Sequence, residues 1–98
     1  MPSETFHVYI LKCSDNSYYV GSTSNLNQRL KTHISGHGPQ YTASRLPVEL
    51  VYSELLPDLD SAVKRERQIK KWTRAKKEAL IRGDLATLKM LSKKQKTR

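Results

Sequence analysis

Two apolar stretches of strand character stand close together near the start of the chain. His7-Val8-Tyr9-Ile10-Leu11-Lys12-Cys13 and Tyr18-Tyr19-Val20-Gly21-Ser22 are rich in aromatic and β-branched residues, which suit a half-buried pleated surface. Between them Ser14-Asp15-Asn16-Ser17 can bond their own backbone, and Asn tolerates a left-handed conformation, so the pattern predicts a hairpin. Side chains alternate across a strand, so an odd loop puts Tyr9 and Tyr19 on one face and an even loop separates them. A third strand is predicted over Val48 to Leu55 behind Pro47, with Val48, Leu50 and Tyr52 on its more buried face. Helical spacing appears four times. Asn25 to Ser35, with Ser22-Thr23-Ser24 as N-cap candidates, carries the stripe Leu26, Leu30 and Ile34. Gly36-His37-Gly38-Pro39 ends it and opens a loop to Leu46. Ser61 to about Trp72, capped by Asp60, presents Ala62, Val63, Ile69 and Trp72. Arg74 to Arg82, closed by Gly83, turns Ala75, Ala79 and Leu80 inward. Leu85 to Leu91, capped by Asp84, repeats Leu at Leu85, Leu88 and Leu91. Strands and helices together predict an α/β (α+β) fold.

Composition narrows this. At 98 residues and 37% hydrophobic content the chain is expected to form one modest core. The division expected is a domain over 1–83, then a C-terminal helix and basic tail over 84–98. Ser92 to Arg98, with four bases and no apolar residue, is expected to be disordered. No run of about 18 apolar residues exists, and the N-terminus lacks a basic-then-apolar secretory pattern, so neither a membrane partner nor export is expected. The single cysteine, Cys13, agrees with a reducing cytoplasm and is read as a packed strand residue. One Cys and three scattered His make no zinc site, and no repeat or obligate protein partner is evident. The net charge of +9 is the strongest signal, and from Lys64 to Lys77 eight bases face one acid. Such a field favours a polyanion through counterion release; nucleic acid is the partner expected.

Candidate chemistry gathers on four stretches. Tyr9, Tyr19 and Gly21 on one face would make a site floor, the glycine letting a ligand or backbone approach. Arg29 and His33 are neighbours one helical turn apart at the core margin, where they can meet a phosphate. The competing view is a snorkelling arginine and a satisfied boundary histidine. The loop holding Tyr41, Thr42 and Arg45 can clamp a nucleic-acid backbone or be an ordinary connection. Glu66 falls in the middle of the apolar face between Ala62 and Val63, which is costly unless the carboxylate meets a cation or a metal. A structural ion pair, for instance to Arg29, is the alternative. The basic stretch around it supplies Arg65, Lys70 and Lys71 as further contacts to nucleic acid.

With these positions assembled, the chain resembles the GIY-YIG nuclease family. His7-Val8-Tyr9 stands where the family has Gly-Ile-Tyr, and Tyr19-Val20-Gly21 where it has Tyr-Ile-Gly. Arg29, His33 and Glu66 fall at family-like spacings, over a span from about Thr5 to Thr73, and the remainder looks like a small bacterial single-domain subgroup. The resemblance implies a small three-stranded, mostly antiparallel sheet flanked by helices, and metal-dependent endonuclease chemistry in DNA repair, recombination or turnover. It implies Glu66 as ligand of one divalent ion, Mg²⁺ or alternatively Mn²⁺, and DNA ahead of RNA as substrate. Tyr9 would be general base with His33 beside it, Arg29 would stabilise charge on the phosphate, and Tyr19 would bond the phosphate or orient water. A tyrosine ordinarily titrates near 10, so Tyr9 would need its pKa lowered, and Arg29, the metal and the positive field are expected to do that. Two departures stand out: His7 replaces the first glycine, and no asparagine follows Asn27, whereas many members carry one after the glutamate. The alternative implied is a non-catalytic nucleic-acid-binding module on the same fold.

Overall fold

The computed structural model describes residues 5–94. The chain runs β1 (Phe6–Lys12), β2 (Tyr18–Thr23), α1 (Leu26–Ile34), α2 (Gln40–Ala43), β3 (Glu49–Leu56), α3 (Leu59–Lys70), α4 (Arg74–Arg82) and α5 (Leu85–Lys94). The three strands form one antiparallel sheet in the order β2-β1-β3. Lys12 pairs with Tyr18, which leaves Cys13 to Ser17, an odd count, in the hairpin loop. Asp15 shapes that loop by accepting the Ser17 amide at 3.0 Å and its hydroxyl at 2.6 Å, with Asn16 left-handed at φ 68°. Tyr9 opposes Gly21 and Leu11 opposes Tyr19, so both tyrosines share a face.

β1 is central and covered on both sides. Val8, Tyr9, Ile10 and Leu11 have no exposed surface. On one face Val8, Ile10 and Val20 pack with Ala62 and Ile69 of α3 and Leu80 of α4, flanked by Trp72 and Leu88. On the other, Tyr9, Leu11, Cys13 and Val48 pack with Tyr19 and with Leu26 and Leu30 of α1. Each fully buried aliphatic or aromatic side chain contributes about 1.5–3 kcal/mol, so this strand ties two cores together. Burial also pushes the Cys13 thiol upward, consistent with a packed hydrophobe.

Several expected details differ. In β3, Tyr52 opposes Ile10 while Leu50 opposes Leu11, so Val51 is a bulge. The insertion breaks the alternation: Val51 and Tyr52 both pack toward the α3 core, and Leu50 is exposed. Asn25, not Ser22 to Ser24, caps α1, accepting the Gln28 amide at 3.1 Å. Ile34 drops out of the predicted stripe, being 59% exposed, and the buried face is Leu26, Leu30 and His33 at i, i+4, i+7. The loop to Leu46 contains the short helix α2. Asp58, not Asp60, caps α3 by accepting the Ser61 amide at 2.8 Å. In α4 it is Lys76, 5% exposed, rather than Ala75 that turns inward, with its ammonium 4.7 Å from the centre of the Trp72 ring. α5 runs on through Ser92, Lys93 and Lys94, where the sequence pattern predicts disorder, and the rest of that tail lies outside the described residues. Leu88 joins the core, but Leu85 of the expected stripe is exposed. No helix among the described residues is long and apolar enough to cross a membrane.

Candidate active site

The two cores meet the hairpin in different ways, and the candidate residues divide accordingly. On the α1 face, the Tyr9 hydroxyl lies 2.9 Å from His33 Nε2, with both side chains fully buried. The Tyr9 and His33 rings meet nearly edge-on at 5.7 Å, and Tyr19 lies 6.5 Å from the first and 5.2 Å from the second. The histidine is therefore not at the boundary of α1; it is the deepest residue on that helix. Gly21 makes this possible, since a Cβ there would stand 2.5 Å from the Tyr9 Oη and 2.7 Å from its Cζ. The phenol lies directly against the backbone of the neighbouring strand.

Burial sets the protonation of this pair. The Tyr9 phenol is pushed up to about 12, chiefly by desolvation and then by Tyr19, against the opposing pull of Arg29. That corrects the expectation that nearby cations lower it. Burial, followed by the charge of Arg29, holds His33 below its ordinary value, so the imidazole is neutral. A neutral imidazole beside a protonated phenol is a base paired with its proton donor. Arg29 itself is exposed, with its charge acting on both Tyr9 and His33.

Glu66 approaches from the other face. Ser22 opposes Val8 and so belongs to the α3 side of the sheet; its hydroxyl donates to Glu66 Oε1 at 2.6 Å. Lys70, one turn further along α3, reaches Glu66 Oε2 at 2.8 Å. Burial pushes the Glu66 carboxyl up, but the bonds from Lys70 and Ser22 outweigh it and leave it below the usual range. Its cation is thus Lys70 and not Arg29. Although the glutamate lies on the opposite face of the sheet, its charge adds a little to the upward push on the Tyr9 phenol. Ser22 went unnoticed in the sequence as a partner of Glu66; its place after Gly21 on the alternate face is the signal that could have found it.

The remaining candidates lie at different distances from this centre. Tyr41 of α2 extends the aromatic group, its ring 6.0 Å from Tyr19. Arg45 stacks over Tyr41 at 3.9 Å but is committed to Asp15 at 3.0 Å, tying α2 to the hairpin loop. Lys71 is exposed at the end of α3, near Lys70. Arg65 is elsewhere: it pairs with Glu54 at 2.7 Å, stacks on Trp72 at 5.3 Å and is taken up by that structural network.

An antiparallel three-stranded sheet with helices on both faces, presenting two tyrosines and a glycine from its first hairpin, defines a GIY-YIG nuclease-type domain, a class that interacts with nucleic acid. The profile of the GIY-YIG catalytic domain matches residues 5–79, and the chain belongs to that family. Within it, the chain is similar to the small UPF0213 proteins. It is 51% identical to one from Syntrophus aciditrophicus over 77 residues, 78% of this chain and 88% of that one. It is 44% identical to one from Bacillus pumilus over 81 residues, 83% of each. The solution NMR structure of the UPF0213 protein from Bacillus halodurans, 40% identical, superposes with a TM-score of 0.52 over 79% of this chain and 82% of that chain. That of an E. faecalis protein, 35% identical, gives 0.57 over 84% and 88%.

Proposed function

We propose that the protein is an endonuclease that hydrolyses phosphodiester bonds in DNA with the help of a divalent cation. The observation that carries this reading is the buried Tyr9–His33 hydrogen bond on a nuclease-type domain. A phenol that hands its proton inward to a neutral imidazole becomes a base toward a water on its other side, despite its raised pKa. Tyr9 has no exposed surface, so that water has to enter with the substrate. Arg29, exposed and close enough to act on the phenol, is drawn to the scissile phosphate and stabilises the phosphoryl oxygens. Tyr19, half-buried above His33, bonds the phosphate or orients the water. Lys70 and Lys71 at the end of α3 engage the flanking backbone.

The donor set suits a singly anchored ion. Among the described residues no group of three or more His, Cys, Asp or Glu gathers, and Glu66 offers one low-pKa carboxylate oriented by Ser22. A hard cation held by one carboxylate, with water and phosphate in its other positions, is a habit of Mg²⁺; Mn²⁺ is the substitute. Glu66 would hold it after releasing Lys70. Such an ion supplies charge neutralisation at the phosphate and leaving oxygen.

A cleavage assay on labelled single-stranded, duplex, flap and branched DNA at low salt, with Mg²⁺, Mn²⁺ or EDTA, tests this. Cutting is expected with metal and is expected to vanish in Glu66→Ala and fall steeply in Tyr9→Phe. Cutting that persists in Glu66→Ala sinks the assignment. One observation favours a second reading, a non-catalytic nucleic-acid-binding module: Tyr9 is shut from solvent and Glu66 is already satisfied by Ser22 and Lys70. Binding without cutting on every substrate and metal would establish it.

A further inference from the structure

The hydrogen-bond chain that starts at Tyr9 does not end at His33. The second imidazole nitrogen, Nδ1, lies 2.9 Å from Thr42 Oγ1 in α2, and that oxygen lies 3.2 Å from the Pro39 carbonyl oxygen. Thr42, like Tyr9 and His33, has no exposed surface. Each of the three side chains carries one hydrogen that can be donated, the imidazole being neutral, and these hydrogens must be placed without help from bulk water.

Only one placement gives each hydrogen an acceptor. The phenol donates to Nε2, Nδ1–H donates to Thr42 Oγ1, and the Thr42 hydroxyl donates to the Pro39 carbonyl. In the reverse placement Nε2–H donates to the phenol oxygen and Thr42 donates to Nδ1. The Tyr9 hydrogen then has no acceptor among the described residues, a costly state for a buried hydroxyl. Gly38 fits the same arrangement. A Cβ at Gly38 would stand 2.9 Å from His33 Nδ1 and 3.2 Å from Thr42 Oγ1, so a larger residue would press on this contact.

We infer that Thr42 is a positioning residue that fixes His33 as its Nδ1–H tautomer and keeps the Nε2 lone pair on the Tyr9 hydroxyl. Its value to catalysis rests on the acid–base reading of Tyr9 and His33 given above; its hold on the tautomer does not. The groups that face the imidazole are Tyr9 from β1, Tyr19 from β2, Thr42 from α2 and, on its own helix, Arg29. None but Thr42 is a hydroxyl hydrogen-bonded to Nδ1. The segment from Gly36 to Leu46 therefore does more than connect α1 to β3: it sets which imidazole nitrogen carries the proton.

Imidazole ¹⁵N spectra of the full-length protein, recorded above the titration range of a free histidine, read the tautomer directly. For the wild type and for Thr42→Ser the expected spectrum has a protonated Nδ1 and an unprotonated Nε2 at His33. Thr42→Val, which keeps the shape and removes the hydroxyl, is expected to lose that single state. A wild type protonated at Nε2 overturns the inference without recourse to any variant, and so does a Thr42→Val spectrum like that of the wild type. In the cleavage assay Thr42→Val is expected to lose about 10- to 100-fold in kcat, on the scale found when the hydrogen-bond partner of a metal-ligating histidine is removed. KM is expected to hold, the acid limb of the pH profile to move, and Thr42→Ser to recover most of the rate. If the wild type cuts no substrate, the nuclease reading fails while the nitrogen spectra still decide the role of Thr42.

Discussion

A single missing methyl group does much of the work at Gly21. The Tyr9 phenol occupies the space an alanine side chain would need, so Gly21→Ala has to push the ring or the strand aside. Overpacking of this kind costs about 1–3 kcal/mol, which for a domain this small lowers Tm by roughly 5–20 °C; a thermal melt measures it. His33 gives a second residue-level expectation. Its folded pKa is depressed below 6.5 by burial and then by Arg29, so the unfolded chain accepts a proton that the native one resists. The associated stability is present above about pH 6.5 and is lost as the pH falls through the folded value. Glu66, also depressed, loses its contribution lower, as the pH falls from its ordinary 4.5. Melts across this range are expected to decline in those two windows, and His33→Gln is expected to flatten the upper one only. A wild-type Tm that is level through the upper window would contradict a buried neutral imidazole.

Among the elements, α1 is the one that brings an exposed arginine and a buried histidine to the same site, and its start depends on one side chain. Asn25→Ala removes the cap on the Gln28 amide and is expected to cost about 1 kcal/mol in chemical denaturation, with Asn25→Ser recovering most of it. A loss as large for Ser24→Ala would move the cap back to where the sequence pattern put it. The hairpin, the third strand and the order of the four longer helices were legible because their periodicities are local. Tyr9, Tyr19, Arg29, His33 and Glu66 were legible as types at a spacing. What could not be read depends on contacts across the fold. The Val51 bulge appears only once β3 is paired with β1. His33 replaces Ile34 on the buried face because Tyr9 and Thr42 satisfy both ring nitrogens, a condition invisible within α1. Likewise Ser22 and Glu66 are far apart in the chain and meet only because α3 crosses β2. Arg65 read as a surface base because its partner, Glu54, belongs to another element.

For the molecule as a whole, the net charge of +9 on a small domain makes salt the most direct probe of its partner. A site that neutralises several phosphates loses affinity with a slope of about −0.9 per phosphate in a plot of log K against log salt. Lys70→Gln and Lys71→Gln are each expected to reduce that slope by about one and to weaken binding evenly across sequences. Affinity indifferent to salt would remove the polyanion reading altogether. The placement of β1 carries one last consequence. Its middle, Val8 to Leu11, is sealed by one layer of helices on each face and by a strand on either side. Its amides lie between two strands and under both cores, so deuterium should enter them more slowly than the amides of α5, which rests on α4 at the periphery and should exchange through local opening. Tyr9 is thus mounted on a part of the molecule that lets go later than its periphery.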